Sequence, residues 1–173
     1  MGINHFFLLL FSSLLMIFFL FQPVKISEQT MKDIPLFSIS KFSIYELDAD
    51  GLSGFLSGKE GVKYIDRYTI ASIDYTDKSK KFIANMKATD GIYKDSKVEL
   101  RGDVVYERED GLIFKAKEVS YDKKNSTAFV DGNYICYMGK NSVVGSGLKY
   151  DNLEKKLTSN NIVIKYQLGD FKW

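Results

Sequence analysis

Beyond residue 40 the sequence alternates between apolar and polar residues in short bursts. No stretch there repeats at helical spacing, and proline is absent after Pro35. A period of two is what a strand with one buried face requires. In Lys81–Ala88 the even positions are Phe82, Ala84, Met86 and Ala88, and the odd ones are Lys, Ile, Asn and Lys. Lys97–Glu107 keeps the same parity, with Val98, Leu100, Gly102, Val104 and Tyr106 on one side and Lys97, Glu99, Arg101 and Asp103 on the other. Asp110-Gly111 predicts a hairpin turn, because an Asp-Gly pair readily takes the positive φ angles such turns need. Leu112, Phe114 and Ala116 then alternate with Lys115 and Lys117. Ten or more short antiparallel strands with no helix to cover them must close into a sandwich, barrel or jelly roll. The pattern leaves open whether the interior is solid or hollow.

The strands come in loosely repeated units. Leu100-Arg101-Gly102-Asp103-Val104 returns as Val130-Asp131-Gly132-Asn133-Tyr134, and Gly111-Leu112 and Tyr121-Asp122 return as Gly147-Leu148 and Tyr150-Asp151. The offsets drift between 29 and 36 residues, so the repeat is hairpin-sized and not a solenoid period. A mid-strand glycine such as Gly102 or Gly132 either marks a bulge or sharp bend, or is merely a tolerated small residue.

Charge divides the chain in two. All 46 charged side chains (24 Lys+Arg, 22 Asp+Glu) lie at or after Lys25, and 17 of the first 24 residues are apolar. From Ile3 to Val24 the run is long enough for a helix across ~30 Å of hydrocarbon. A cleaved signal peptide, whose apolar core is shorter and ends in a small-x-small site, fits Gln22-Pro23-Val24-Lys25 less well. The expected organisation is therefore an N-terminus and membrane anchor over 1–24, a linker over 25–40 and a β-domain over 41–173. With no Lys or Arg before the anchor, the positive-inside rule gives no orientation. The net charge of +2 gives no case for nucleic acid, which demands a strongly basic face.

Catalysis has no candidate constellation. The one histidine, His5, lies in the apolar tail and the one cysteine is Cys136, so neither a histidine-based triad nor a Cys/His zinc site can be assembled in the domain. Cys136 reads as a small buried strand residue. Asp48-Ala49-Asp50-Gly51 resembles the start of a calcium loop, but its glycine comes two positions early and no glutamate closes the loop. Asn125-Ser126-Thr127 matches a glycosylation sequon but is read as a turn, and Glu107 and Glu109 stand solvated. The expectation is a protein that is not an enzyme and has no cofactor.

An apolar anchor, a polar linker and then repeated β units together resemble the LptC family of lipopolysaccharide-export proteins. The residues that carry the resemblance are Leu100-Arg101-Gly102-Asp103-Val104, Asp110-Gly111-Leu112 and Val119-Ser120-Tyr121-Asp122. They continue as Phe129-Val130-Asp131-Gly132 and Gly145-Ser146-Gly147-Leu148-Lys149-Tyr150-Asp151. The resemblance spans roughly residues 40 to 168 and rests on order and spacing. It implies an all-β chain: one inner-membrane helix carrying a twisted, slightly open antiparallel β-jelly roll in the periplasm of a Gram-negative bacterium. Such a protein accepts lipopolysaccharide from an inner-membrane ABC transporter (LptBFG-like) and passes it to an LptA-like bridge protein docked on the C-terminal edge strand.

In that picture the lipid groove is lined by Phe82, Met86, Val98, Leu100, Val104, Tyr106, Phe114, Val130, Tyr134, Val144 and Leu148. Gly102 and Gly132 serve bends or the partner interface, and Ile162, Ile164 and Tyr166 lie on the docking edge. The alternative is an anchored structural or adhesive β-domain with a solid core and no lipid. A soluble periplasmic shuttle would require cleavage after the apolar run.

Overall fold

The computed structural model describes residues 11–17, 32–49, 51–79 and 81–167. The chain divides into two units, Met1–Asp33 and Ile34–Trp173. In the first, residues 11–17 are helical; the rest of the expected anchor lies outside the described residues. No helix among the described residues is long and apolar enough to cross a membrane.

Among its described residues the second unit is built from nine strands. They are β1 (Phe37–Asp48), β2 (Gly51–Lys63), β3 (Tyr68–Asp77), β4 (Ala84–Lys94), β5 (Lys97–Arg108), β6 (Leu112–Asp122), β7 (Thr127–Met138), β8 (Asn141–Asp151) and β9 (Lys156–Lys165). All pair antiparallel in one sheet whose order is the chain order, so β1 and β9 each leave one edge unpaired. The all-β architecture expected from the alternation, slightly open as the resemblance implies, is present as a sequential meander without crossovers.

The strands are fewer and longer than the sequence suggests, nine of 10 to 13 residues each. Bulges fall inside continuous strands. The register slips near the middle of β4 to β9, between Lys87/Asp90, Arg101/Val104, Ala116/Ser120, Val130/Asn133 and Val144/Lys149. Lys41, Ser72, Asp103 and Asn161 take positive φ along the same line. Each bulge bends its strand, and the aligned bends divide the sheet into two half-sheets joined along a crease.

One face is concave across that crease. Ile73, Ala88, Leu100 and Val104 form a buried cluster to which Tyr75 and Met86 contribute from one half-sheet and Ile70 and Val98 from the other. A second cluster joins Ala116, Val130 and Tyr134. Gly102 serves the crease directly. Its φ is +72°, and a Cβ there would lie 2.6 Å from the Thr89 hydroxyl. Gly91 makes room for Ile73, whose side chain crosses onto it. Gly132, by contrast, has open space around its would-be Cβ, so local crowding does not demand glycine there.

The turns follow their side chains. Gly111, at φ +90°, closes the Asp110-Gly111 turn as expected, and Arg108 donates to both Asp110 oxygens at 2.8 and 2.6 Å. That pairing holds the Asp110 carboxyl below the usual range and raises Arg108. Asp95 and Ser96, both at positive φ, form the two-residue β4–β5 turn, without the Asn-Gly or Asp-Gly signature. At the β6–β7 turn the Asp122 carboxylate accepts the backbone N–H groups of Lys124 and Asn125, which makes the sequon segment a turn. The domain begins earlier than expected. β1 starts at Phe37, four residues inside the predicted linker, because Phe37–Ser40 pair with Glu60–Lys63.

Replacing Gly102 by valine is expected to cost at least the roughly 1–3 kcal/mol of a side chain forced into positive φ, whereas Gly132→Ala should stay within about 0.5 kcal/mol. Urea unfolding of the two variants checks this, and equal destabilisation would remove the crease role given to Gly102.

Candidate functional site

The concave face carries an apolar row that crosses all nine strands. Following the register, Ile44 pairs with Leu56, then Tyr75, Met86, Tyr106, Phe114, Cys136, Val143 and Ile164. Eight strand-to-strand steps of about 4.8 Å carry this row roughly 38 Å along the sheet. The convex face at the same level reads Ser57, Asp74, Lys87, Val105 and Lys115 from β2 to β6, largely wet, and then Ile135, Val144 and Val163 from β7 to β9. From β2 to β6 the two faces therefore differ in chemistry as the alternation demands.

The expected groove residues separate into three groups. Leu100, Val104, Val130 and Tyr134 are 2 to 4% exposed and form the packed floor. Met86, Val98, Phe114 and Leu148 are half-buried and pack onto that floor from above, and Tyr106 stands between Met86 and Phe114 in the row. Phe82 precedes β4 and sits at the lip, with the Lys81 ammonium and the Arg108 guanidinium each 5.2 Å from its ring centre.

Val144 is a correction. It pairs with Ile135 and Val163 on the convex face and is 41% exposed. Val143, one residue earlier, takes the inward position and packs on the second cluster. The bulges in β8 shift the parity between Val143 and Leu148, which a constant even-odd count cannot follow. Sequence reasoning also missed Cys136 as a member of the concave row. Its thiol is pushed up by burial, against the nearby Arg108 charge.

Each margin of the sheet is pinned by a tyrosine two strands in from the edge. On one side the Tyr134 hydroxyl (β7) lies over Gly145 (β8) and donates to Ser159 on β9 at 2.9 Å; Ser159 in turn donates to the Ser146 carbonyl at 3.0 Å. On the other, the Tyr75 hydroxyl (β3) donates at 3.2 Å to Glu46 of β1, whose side chain covers Gly54 of β2. Outward of these pins both edge strands expose large apolar residues. Ile162, Ile164 and Tyr166 are exposed near the C-terminal edge, and Ile44, Tyr45 and Leu47 of β1 form a second exposed edge that the sequence did not suggest.

No group of three or more metal-ligating side chains occurs among the described residues.

The family model for lipopolysaccharide-assembly, LptC-related proteins matches residues 6–163. The chain belongs to that family, a family of lipopolysaccharide transport. Among solved structures it is similar to LptH, the LptA-homologous periplasmic component of the conserved lipopolysaccharide transport device from Pseudomonas aeruginosa. That likeness has a TM-score of 0.38 and 15% identity, and covers 80% of this chain and 99% of that one; at such distance it decides nothing. No curated protein matches.

The Tyr75 phenol is pushed up to about 12, first by burial and then by the Glu46 and Asp77 carboxylates. Its folded value lies above the ordinary 10.0, so its contribution to stability is complete below pH 10 and is lost between pH 10 and 12. Ultraviolet titration should find one late-titrating tyrosine whose midpoint falls in Glu46→Gln. An unchanged midpoint would exclude the Glu46 pairing.

Proposed function

We propose that the concave face is a lipid conduit and that the protein is a membrane-anchored component of lipopolysaccharide transport. In this reading it accepts lipopolysaccharide from an ABC transporter at the inner membrane and passes it to the next β-domain of a bridge toward the outer membrane. The observation that carries the reading is the uninterrupted apolar row from Ile44 to Ile164 on the concave side of a sheet with two unpaired edges. Each exposed CH₂ costs ~0.8 kcal/mol in water, so a 12-carbon acyl chain costs on the order of 10 kcal/mol to carry unshielded. Half-buried Met86, Tyr106 and Phe114 offer such chains an apolar surface above an already packed floor.

The edges supply continuity. An unpaired β9 edge bearing Ile162 and Ile164 accepts a partner strand by β-augmentation, and a partner sheet added there extends the concave row beyond Ile164. The exposed β1 edge does the same on the opposite side. The apolar N-terminal run holds the entrance of the conduit at the membrane, with the domain on the periplasmic face.

The test uses neighbours on opposite faces of one strand. A photo-crosslinking residue at Phe114 is expected to capture lipopolysaccharide in cells, and one at Lys115 is not. Equal labelling at the two positions would remove the conduit. Depletion of the protein should also hold newly made lipopolysaccharide at the inner membrane; a normal outer leaflet after depletion would remove the transport role.

A further inference from the structure

The two rims of the concave face differ. At the end where the β2–β3, β4–β5 and β6–β7 turns lie, the outermost inward-facing row runs Lys63, Tyr68, Tyr93, Val98, Tyr121, Ala128 and Tyr150 from β2 to β8. The Tyr68 and Tyr93 rings stand 6.2 Å apart, half-exposed. The Lys63 ammonium lies 5.2 Å from the centre of the Tyr68 ring, and that of Lys123, from the β6–β7 turn, lies 5.0 Å from Tyr93. The order is thus cation, ring, ring, cation.

Beside this strip is an open cleft of ≈ 320 Å³ between the β2–β3 and β4–β5 turns. There Asp66 accepts from Lys94 at 2.7 Å and from Arg67 at 3.0 Å, and Arg67 covers the Tyr64 ring. Asp66 engages both of those cations. Among the described residues neither Lys63 nor Lys123 forms an ion pair with a carboxylate. The opposite rim mixes signs at its inward positions: Glu46 and Asp77 stand there with Arg108, which Asp110 holds, and with the Lys81 ammonium over the Phe82 ring.

A tyrosine is amphipathic, with an apolar ring and a polar tip, and it collects where an oily region meets water. Lysine binds phosphate as a point charge. We propose that the strip Lys63–Tyr68–Tyr93–Lys123 docks the phosphorylated sugar headgroup of the lipid whose chains lie in the concave row. The sugar ring rests on the tyrosine pair and the phosphates meet the two ammonium groups. This assignment rests on the conduit reading and adds an orientation to it, with the headgroup always turned to the same rim.

The experiment measures binding of the full chain to an acylated disaccharide carrying two phosphates and to its phosphate-free counterpart. The wild type should prefer the phosphorylated form by roughly tenfold, the scale of one charged hydrogen bond. The double variant Lys63→Glu/Lys123→Glu should lose the preference but still bind the phosphate-free lipid, and Lys63→Arg/Lys123→Arg should keep the preference. Equal wild-type binding of both lipids, or a preference that survives charge reversal, overturns the rim assignment and leaves the conduit standing. Failure of the wild type to bind either lipid removes both. If millimolar inorganic phosphate abolishes the preference, the strip is a site for free phosphate and the headgroup assignment falls.

Discussion

Everything in the β-domain depends on the crease. A nine-stranded antiparallel meander laid flat would offer one apolar face with nothing to bury it against, since the described residues of the second unit supply no helix. Aligned bulges solve this by bending each strand near its middle, so that the two halves of one sheet become each other's cover. The buried clusters sit along that line, with Leu100 on one side of the β5 bulge and Val104 on the other. The large buried side chains lie there. Away from the crease the same apolar face is merely half-buried, which leaves surface for a ligand without giving up a core.

The margins show how an open sheet stays ordered at its ends. A strand at an edge has neighbours on one side only and would be the first to fray. Here Tyr75 and Tyr134 each reach past an intervening glycine strand to bond the edge strand beyond it. The outward backbone edge is left untouched by either bond. Order at the edge and availability of the edge are thus supplied by different atoms: the side chains on the concave face and the peptide groups in the plane of the sheet.

Much of this was legible in the alternation. Even parity through Met86, Val98, Leu100, Val104, Tyr106 and Phe114 identified the concave face, and Asp110-Gly111 identified its turn. Bulges limited the reading. A single inserted residue reverses parity without altering local composition, so a constant even-odd count puts Val144 inward where the structure puts Val143. The same ambiguity made Gly102 and Gly132 look equivalent, although only Gly102 carries a positive φ and a close neighbour. The rim strip was invisible for another reason. Lys63, Tyr68, Tyr93 and Lys123 are spread over sixty residues and meet only through register.

The chain-order sheet has a kinetic side. Every strand pairs only with its predecessor and successor, so each ladder closes over a hairpin and no pairing waits for a distant segment to arrive. Loop-closure entropy is paid in small, similar instalments, and contact order is low for an all-β domain. Such a chain can add hairpins in the order in which its residues emerge during synthesis or translocation. The growing edge at each stage has the same form as the edge that the finished domain presents at β9.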